Sequence, residues 1–248
     1  MINIARSVIA VLVAASLIEL VVRLSRVPEY LFPAPSAVVI WGYNNISTLI
    51  SDLGITGTES IAGLLIAAVL AQLTFLLFGS LERARAFISK GASSIQAVPI
   101  LAVAPFLSTW FGPGIVGKII ASALVCGPVI FAALYGAADS VPSDERAFAW
   151  RVYKTRWRYT RKFLLRRCLP GFLGGLRTSA PLAVLGAIVG EFVGSSSGLG
   201  FRILSGSYYL KTSQMMAAIV TCVILGLTLR ACVRILEDRF SFWGDKRV

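Results

Sequence analysis

The sequence predicts an all-α membrane protein with six transmembrane helices and both termini on the cytoplasmic side. Three observations predict this. First, 56% of the 248 residues are hydrophobic and only 15% charged, with mean hydropathy +0.78. A soluble domain carries about a quarter charged residues, and a chain this poor in charge would expose apolar surface to water. Second, the length holds about six apolar segments of roughly 20 residues each, with short connections. Third, the excess of basic residues, 24 Lys and Arg against 12 Asp and Glu, is placed between or just after the apolar segments. Such placement belongs to membrane topology and lipid contact rather than to a nucleic-acid surface.

The predicted spans are residues 7–22, 61–78, 92–110, 115–138, 173–193 and 215–231, within a single transmembrane domain covering 1–248. The first is an apolar run after Arg6, interrupted by Glu19 and closed by Arg23 and Arg26. It resembles a signal peptide. No small-residue cleavage pattern precedes a soluble domain, however, so it is expected to be retained as a helix. Residues 28–48 read as a loop with a short amphipathic helix over 37–49, and 81–90 as a short polar stretch. The third span contains Pro99 and Pro105, which would kink a lone helix. A Gly-Pro-Gly turn over 112–114 leads into the fourth span. Residues 141–167 form the one long polar segment. The loop after the fifth span is rich in Ser and Gly, and the tail beyond the sixth is charged.

The positive-inside rule sets the orientation. With a cytoplasmic N-terminus, only Arg23, Arg26, Lys118, Arg202 and Lys211 fall outside, and the rest of the 24 basic residues fall inside.

Two segments carry possible chemistry. In 141–167, Arg151, Lys154, Arg158 and Arg161 or Lys162 recur at a spacing that predicts one helical stripe, interleaved with Phe148, Trp150, Tyr153, Trp157 and Phe163. Such a segment either docks into a partner or lies on lipid headgroups. In 190–200, Glu191 sits among glycines and Ser195, Ser196 and Ser197. A carboxylate at the bilayer centre costs roughly 2.5–3.5 kcal/mol on insertion scales, so it is expected to face protein or water. It then accepts hydrogen bonds, binds a cation or relays protons. The spacing Gly186-xxx-Gly190-xxx-Gly194, with Gly171, Gly174 and Gly175, suits close helix crossings.

The chain has no histidine, no nucleotide-binding P-loop and no CxxC pair among Cys126, Cys168, Cys222 and Cys232. Catalysis, a bound metal and a cofactor in this chain are therefore not expected. Energy for transport must come from a partner or an ion gradient. An ion-gradient transporter or channel working without an ATPase, a lipid-modifying enzyme and a purely structural membrane partner are the rival readings.

Three blocks carry a family resemblance. Residues 95–114, IQAVPILAVAPFLSTWFGPG, are similar to the signature IPxxALAPLxxLWFGxG of binding-protein-dependent importer permeases. Residues 191–200, EFVGSSSGLG, resemble the AEFLGASSGLG stretch of the subgroup for nitrate, taurine, alkanesulfonates and thiamine-precursor-like solutes. Residues 31–38, LFPAPSAV, resemble its FLPSPSAV loop. Order and spacing are kept from about residue 30 to the C-terminus. The family's coupling motif, EAAxxxGA, aligns without gaps so that its glutamate falls on Ala147, the next two positions on Phe148 and Ala149, its glycine on Tyr153 and the following residue on Lys154. The frame is kept and both signature residues are replaced.

The resemblance implies a type I ABC importer permease. It implies coupling through Ala147, Phe148, Ala149, Tyr153 and Lys154 to separate ATP-binding subunits that hold ATP and Mg. It also implies a second permease, identical or different, and a periplasmic or lipid-anchored solute-binding protein. The expected solute is small: nitrate, a sulfonate, taurine or a vitamin-precursor-like compound. Glu191 and Ser195 to Ser197 are expected near the external mouth of the path.

Overall fold

The computed structural model describes residues 2–240, and every regular element among them is helical. The order is α1 (Ile2–Leu24), α2 (Pro35–Asn44), α3 (Ile46–Phe78), α4 (Glu82–Gln96), α5 (Ile100–Phe111), α6 (Ile115–Asp139), α7 (Ser143–Tyr153), α8 (Arg156–Tyr159), a π-helical turn (Thr160–Leu164), α9 (Leu165–Arg167), α10 (Leu169–Glu191), α11 (Leu199–Tyr208) and α12 (Thr212–Phe240). Four of these, α3, α6, α10 and α12, are long and apolar enough to cross a membrane, and α4 with α5 makes a fifth, bent pair. Helix α1 covers the first predicted span. The predicted tail cations Lys246 and Arg247 lie outside the described residues.

The bundle is organised on α6 and α10, which touch along most of their length. Small residues allow it. A methyl added at Gly175 would lie 2.6 Å from Ala133 Cβ, one at Gly186 2.6 Å from Ser122 Cα, and one at Gly190 2.8 Å from Lys118 Cα. Any side chain there would force the helices apart. Ser122 seals the crossing by donating to Ala183 O at 2.9 Å. Gly174 and Gly194 do not take part. Gly174 faces Glu237, and Gly194 sits in a turn at φ +79°. Toward the α7 end the core is aromatic: Phe75 meets Tyr135 edge-on at 5.3 Å and Phe131 stacks on Tyr135 at 6.2 Å.

The structure departs from the predicted elements in three places. The polar stretch 81–90 and the start of the predicted third span form one helix, α4. The chain then turns by 93° before α5, so 92–110 is not one continuous helix. Pro99 causes the break: it has no N–H to donate and drives Val98 out of the helical region. Pro105, inside α5, does not break it. Second, α3 begins at Ile46, well before residue 61. Residues 50–60 fall in no predicted element, yet they are helical, and Asp52, Thr56, Glu59 and Ser60 among them are buried against protein. Third, the basic stripe of 151–162 does not lie on one helix. The chain leaves the helix at Lys154, whose φ is +55°, and restarts at Arg156.

Candidate functional site

Two regions at opposite ends of the bundle hold the functional residues read from the sequence. The first is a buried charge knot beneath α11. Asp52, Thr56, Glu59 and Ser60 fall at i, i+4, i+7 and i+8 on α3 and so share one face. Helix α10 ends at Glu191, which is 1% exposed. Glu191 Oε1 accepts from Thr56 Oγ1 at 2.7 Å, and its Oε2 accepts the Gly200 N–H at 2.5 Å. Thr56 Oγ1 accepts the Leu199 N–H at 2.9 Å. Asp52 Oδ1 accepts the Gly198 N–H at 3.0 Å, while Oδ2 pairs with Arg202 Nε at 2.7 Å.

Residues Gly198 to Gly200 open α11, where helix N–H groups have no intrahelical partner. Three side chains from α3 and α10 therefore cap α11, and the two carboxylates also sit at the positive end of its dipole. The close approach explains both glycines. A methyl at Gly198 would meet the Glu191 carboxylate, and one at Gly200 would lie 2.7 Å from Oε2.

From α6, Lys118 Nζ lies 3.4 Å from Glu59 Oε1 and donates to Ser195 Oγ at 2.8 Å. Ser195 Oγ donates to Ser197 O at 2.6 Å. Of the residues read from the sequence, the structure joins Glu191, Ser195 and the Ser197 backbone to this knot. Ser196 is exposed. Asp52, Thr56, Glu59 and Lys118 were missed, although the helical spacing of the first three on α3 was a usable signal. Glu19, read as a lone intramembrane acid, accepts from the Ser36 N–H at 2.9 Å and from its hydroxyl at 2.7 Å. It thereby ties α1 to the start of α2.

The second region is the 141–167 segment. Helix α7 opens with Asp144 and Glu145 and closes with Arg151, the arrangement that complements a helix dipole. One ion pair, Arg146 to Glu82, ties the segment to the bundle, and further pairs stiffen each side of that contact. Arg85, 3% exposed, pairs with Asp139 at 2.7 Å and donates to Gly79 O at 2.9 Å. Arg146 reaches Glu82 at 3.3 Å, and Arg167 reaches Glu145 at 3.2 Å. Trp150 meets Tyr159 edge-on at 5.4 Å. Burial pushes the Tyr159 phenol above its ordinary pKa.

The motif positions divide by burial. Ala149 is buried in the core and Tyr153 packs against it. Ala147, Phe148 and Lys154 are exposed, Phe148 to 70%. Ala147 borders a cavity of about 310 Å³ shared with Glu82, Arg85 and Trp150.

A bundle of several helices long and apolar enough to cross a membrane defines a multi-pass membrane protein. Residues 63–242 match the family described as binding-protein-dependent transport system inner membrane component. The chain belongs to that family, and it is an inner-membrane ABC importer permease subunit. It is 31% identical over 222 residues to a probable ABC transporter permease protein of Haemophilus influenzae, covering 90% of this chain and 91% of that one. It is 29% identical over 226 residues to a putative aliphatic sulfonates transport permease, SsuC, of Bacillus subtilis, covering 90% and 81%. In fold it is similar to an inward-facing structure of the MetNI methionine ABC transporter, with TM-score 0.62, 18% identity, and coverage of 79% of this chain and 95% of that one.

Proposed function

We propose that the chain forms part of the solute path of an ATP-driven importer through six crossings, the first supplied by α1, with both termini and the 141–167 segment in the cytoplasm. Two permeases, identical or different, make the path. Two ATP-binding subunits holding ATP and Mg dock beneath them, and a periplasmic or lipid-anchored binding protein delivers the solute from outside. The observation that carries this reading is the form of the 141–167 segment: a short helix and turn that exposes Ala147, Phe148 and Lys154 while Ala149 and Tyr153 anchor it in the core. A partner that pushes on the exposed face acts on the bundle through the Arg146–Glu82 ion pair and through Ala149 and Tyr153 packed in the core.

At the other end, the knot around Glu191, Ser195, Ser196 and Ser197 holds the external mouth. The alignment of this chain with a relative named for aliphatic sulfonates supports a small solute of the nitrate, sulfonate, taurine or vitamin-precursor kind. An ion-gradient transporter or channel acting alone is not favoured. Glu19 and Glu191, the acids read as its relays, are each engaged in hydrogen bonds that join helices.

The test is a mild-detergent pull-down of the tagged chain, with every co-purifying protein identified. An ATP-binding subunit is expected. Its absence, in detergent that keeps a control importer intact, overturns the reading. A second, different permease in the same eluate points to a heterodimer; the ATPase with no other permease points to a homodimer.

A further inference from the structure

Helix α4 is the least apolar element at membrane depth, and its two sides differ. Phe87, Ile88, Gly91, Ala92 and Ile95 face a cavity of about 460 Å³ whose other walls are apolar residues of α3 and α6. Arg83, Lys90, Ser93 and Ser94 recur at i, i+7, i+10 and i+11, beside the cavity-facing residues, and none of the four lines that cavity. All four are exposed.

Depth follows from the neighbours. Glu82, at the start of α4, reaches Arg146 at the α7 end of the bundle. Gly91 and Ala92 line the same cavity as Gly127 and Pro128, and Gly127 is the middle residue of α6. Lys90, about two helical turns beyond Glu82, therefore lies inside the bundle and not in the cytoplasmic stretch where the positive-inside count places its charge. Among the described residues it has no ion-pair partner. A charge at that depth is costly in lipid and is found facing water or protein. The two serines beside it return their hydroxyl protons to Ser89 O at 3.2 Å and Lys90 O at 3.1 Å, which leaves oxygen lone pairs on the open face.

We propose that this stripe of α4, Arg83–Lys90–Ser93–Ser94, lines the water-filled path and that Lys90 sets the path for a solute carrying negative charge. The inference rests on the importer reading and adds the lining element and the charge class. Lys90 is the only cation of the stripe inside the bundle; Arg83 sits at the cytoplasmic end, where an anion leaving Lys90 meets it. Selectivity of this kind comes from a fixed charge in a narrow, poorly solvated path, as in pores lined by basic residues.

The test reads the path with thiol reagents and needs no identified solute. Cys232 is the exposed cysteine and the other three are buried, so the background is Cys232→Ser, with Ser94→Cys added. Membranes containing the full chain are treated with an anionic thiosulfonate, the sulfonatoethyl reagent, and with its cationic trimethylammonium counterpart. Ser94→Cys is expected to react with the anionic reagent several-fold faster than with the cationic one, relative to their rates on a free thiol. Lys90→Gln removes the preference and Lys90→Arg keeps it. Ala92→Cys, buried where the apolar cavity meets α4, is expected to stay unreactive.

Failure of Ser94→Cys to react while native Cys232 reacts overturns the lining role. Reaction without anionic preference, or a preference that survives Lys90→Gln, overturns the charge role. The labelling is read whether or not an ATP-binding subunit co-purifies, so its failure is distinct from failure of the importer reading.

Discussion

Thr56 and Glu191, 135 positions apart in the chain, meet in a 2.7 Å hydrogen bond beneath the first turn of α11. The Thr56 hydroxyl has a second task, accepting the Leu199 N–H. One side chain thus joins three helices. Thr56→Val keeps the shape and removes both bonds, leaving the Leu199 N–H and a Glu191 oxygen unsatisfied in the interior. A cost of about 1–3 kcal/mol per orphaned buried group is expected. The measurement is the melting temperature in detergent, with Thr58→Val, whose hydroxyl returns to Ile55 O on the exposed side, as the reference. Equal melting of the two variants would show that the knot does not hold α11.

Asp52 acts on the same helix in two ways, as a cap for the Gly198 N–H and as the partner of Arg202. Two substitutions separate them. Asp52→Asn keeps an oxygen for the N–H and loses the ion pair; Asp52→Ala loses both. Breaking a buried pair by removing one partner costs about 3–5 kcal/mol, and the figure here is lower because the Arg202 side chain is 23% exposed. The expected order of melting is wild type, then Asp52→Asn, then Asp52→Ala, with Arg202→Ala close to Asp52→Asn. If Asp52→Asn melts with Asp52→Ala, the cap contributes nothing.

How much of this was legible in the sequence depends on the physical signal each residue leaves. The apolar runs that became α6, α10 and α12 were plain, because lipid demands continuous hydrophobic length. The glycines Gly171, Gly175, Gly186 and Gly190 were readable as close packing, since small residues at helical spacing have few other uses in lipid. The knot was half visible. Glu191 stood out as an acid among glycines, but Asp52, Thr56 and Glu59 were left outside the second span because hydropathy averages a buried polar face with its apolar opposite. Lys118 was counted among the external cations, whereas it is buried against Glu59 and Ser195. The turn at Lys154 left no signal, because a lysine in the left-handed region has no composition to mark it.

Cys168 gives a prediction in pH. It is fully buried at the junction of α9 and α10, and burial pushes its thiol up to about 12, from an ordinary value of about 8.5. The folded protein holds the neutral thiol while the unfolded chain ionises first. The associated stability is therefore fully present below about pH 8.5, and it is lost as pH rises toward the folded value. Thermal melting followed from pH 8 upward is expected to fall more steeply for wild type than for Cys168→Ala, even if the variant starts lower. At pH 8 a maleimide is expected to modify Cys232 and spare Cys168. Parallel alkaline limbs for the two proteins would remove Cys168 from the account.

The 141–167 segment allows docking and folding to be tested apart. Tyr153 packs on the core, so Tyr153→Glu perturbs both, and uncoupled transport in that variant would not say which was lost. Phe148 is 70% exposed, and Phe148→Asp is expected to leave stability within about 0.5 kcal/mol of wild type, as surface changes usually do, while the ATP-binding subunit is lost from the pull-down. Lys154 holds the left-handed turn at φ +55°, a conformation that costs a non-glycine residue roughly 1–2 kcal/mol. Lys154→Gly relieves that strain and gives back part of it as unfolded-chain entropy, about 0.4–1 kcal/mol. Its expected result is a slightly raised melting temperature with the ATP-binding subunit retained. If Phe148→Asp still co-purifies with the subunit at wild-type yield, the exposed face of α7 is not the docking surface. If Lys154→Gly loses the subunit while melting normally, the lysine charge itself takes part in docking, and the turn geometry is the lesser of its two roles.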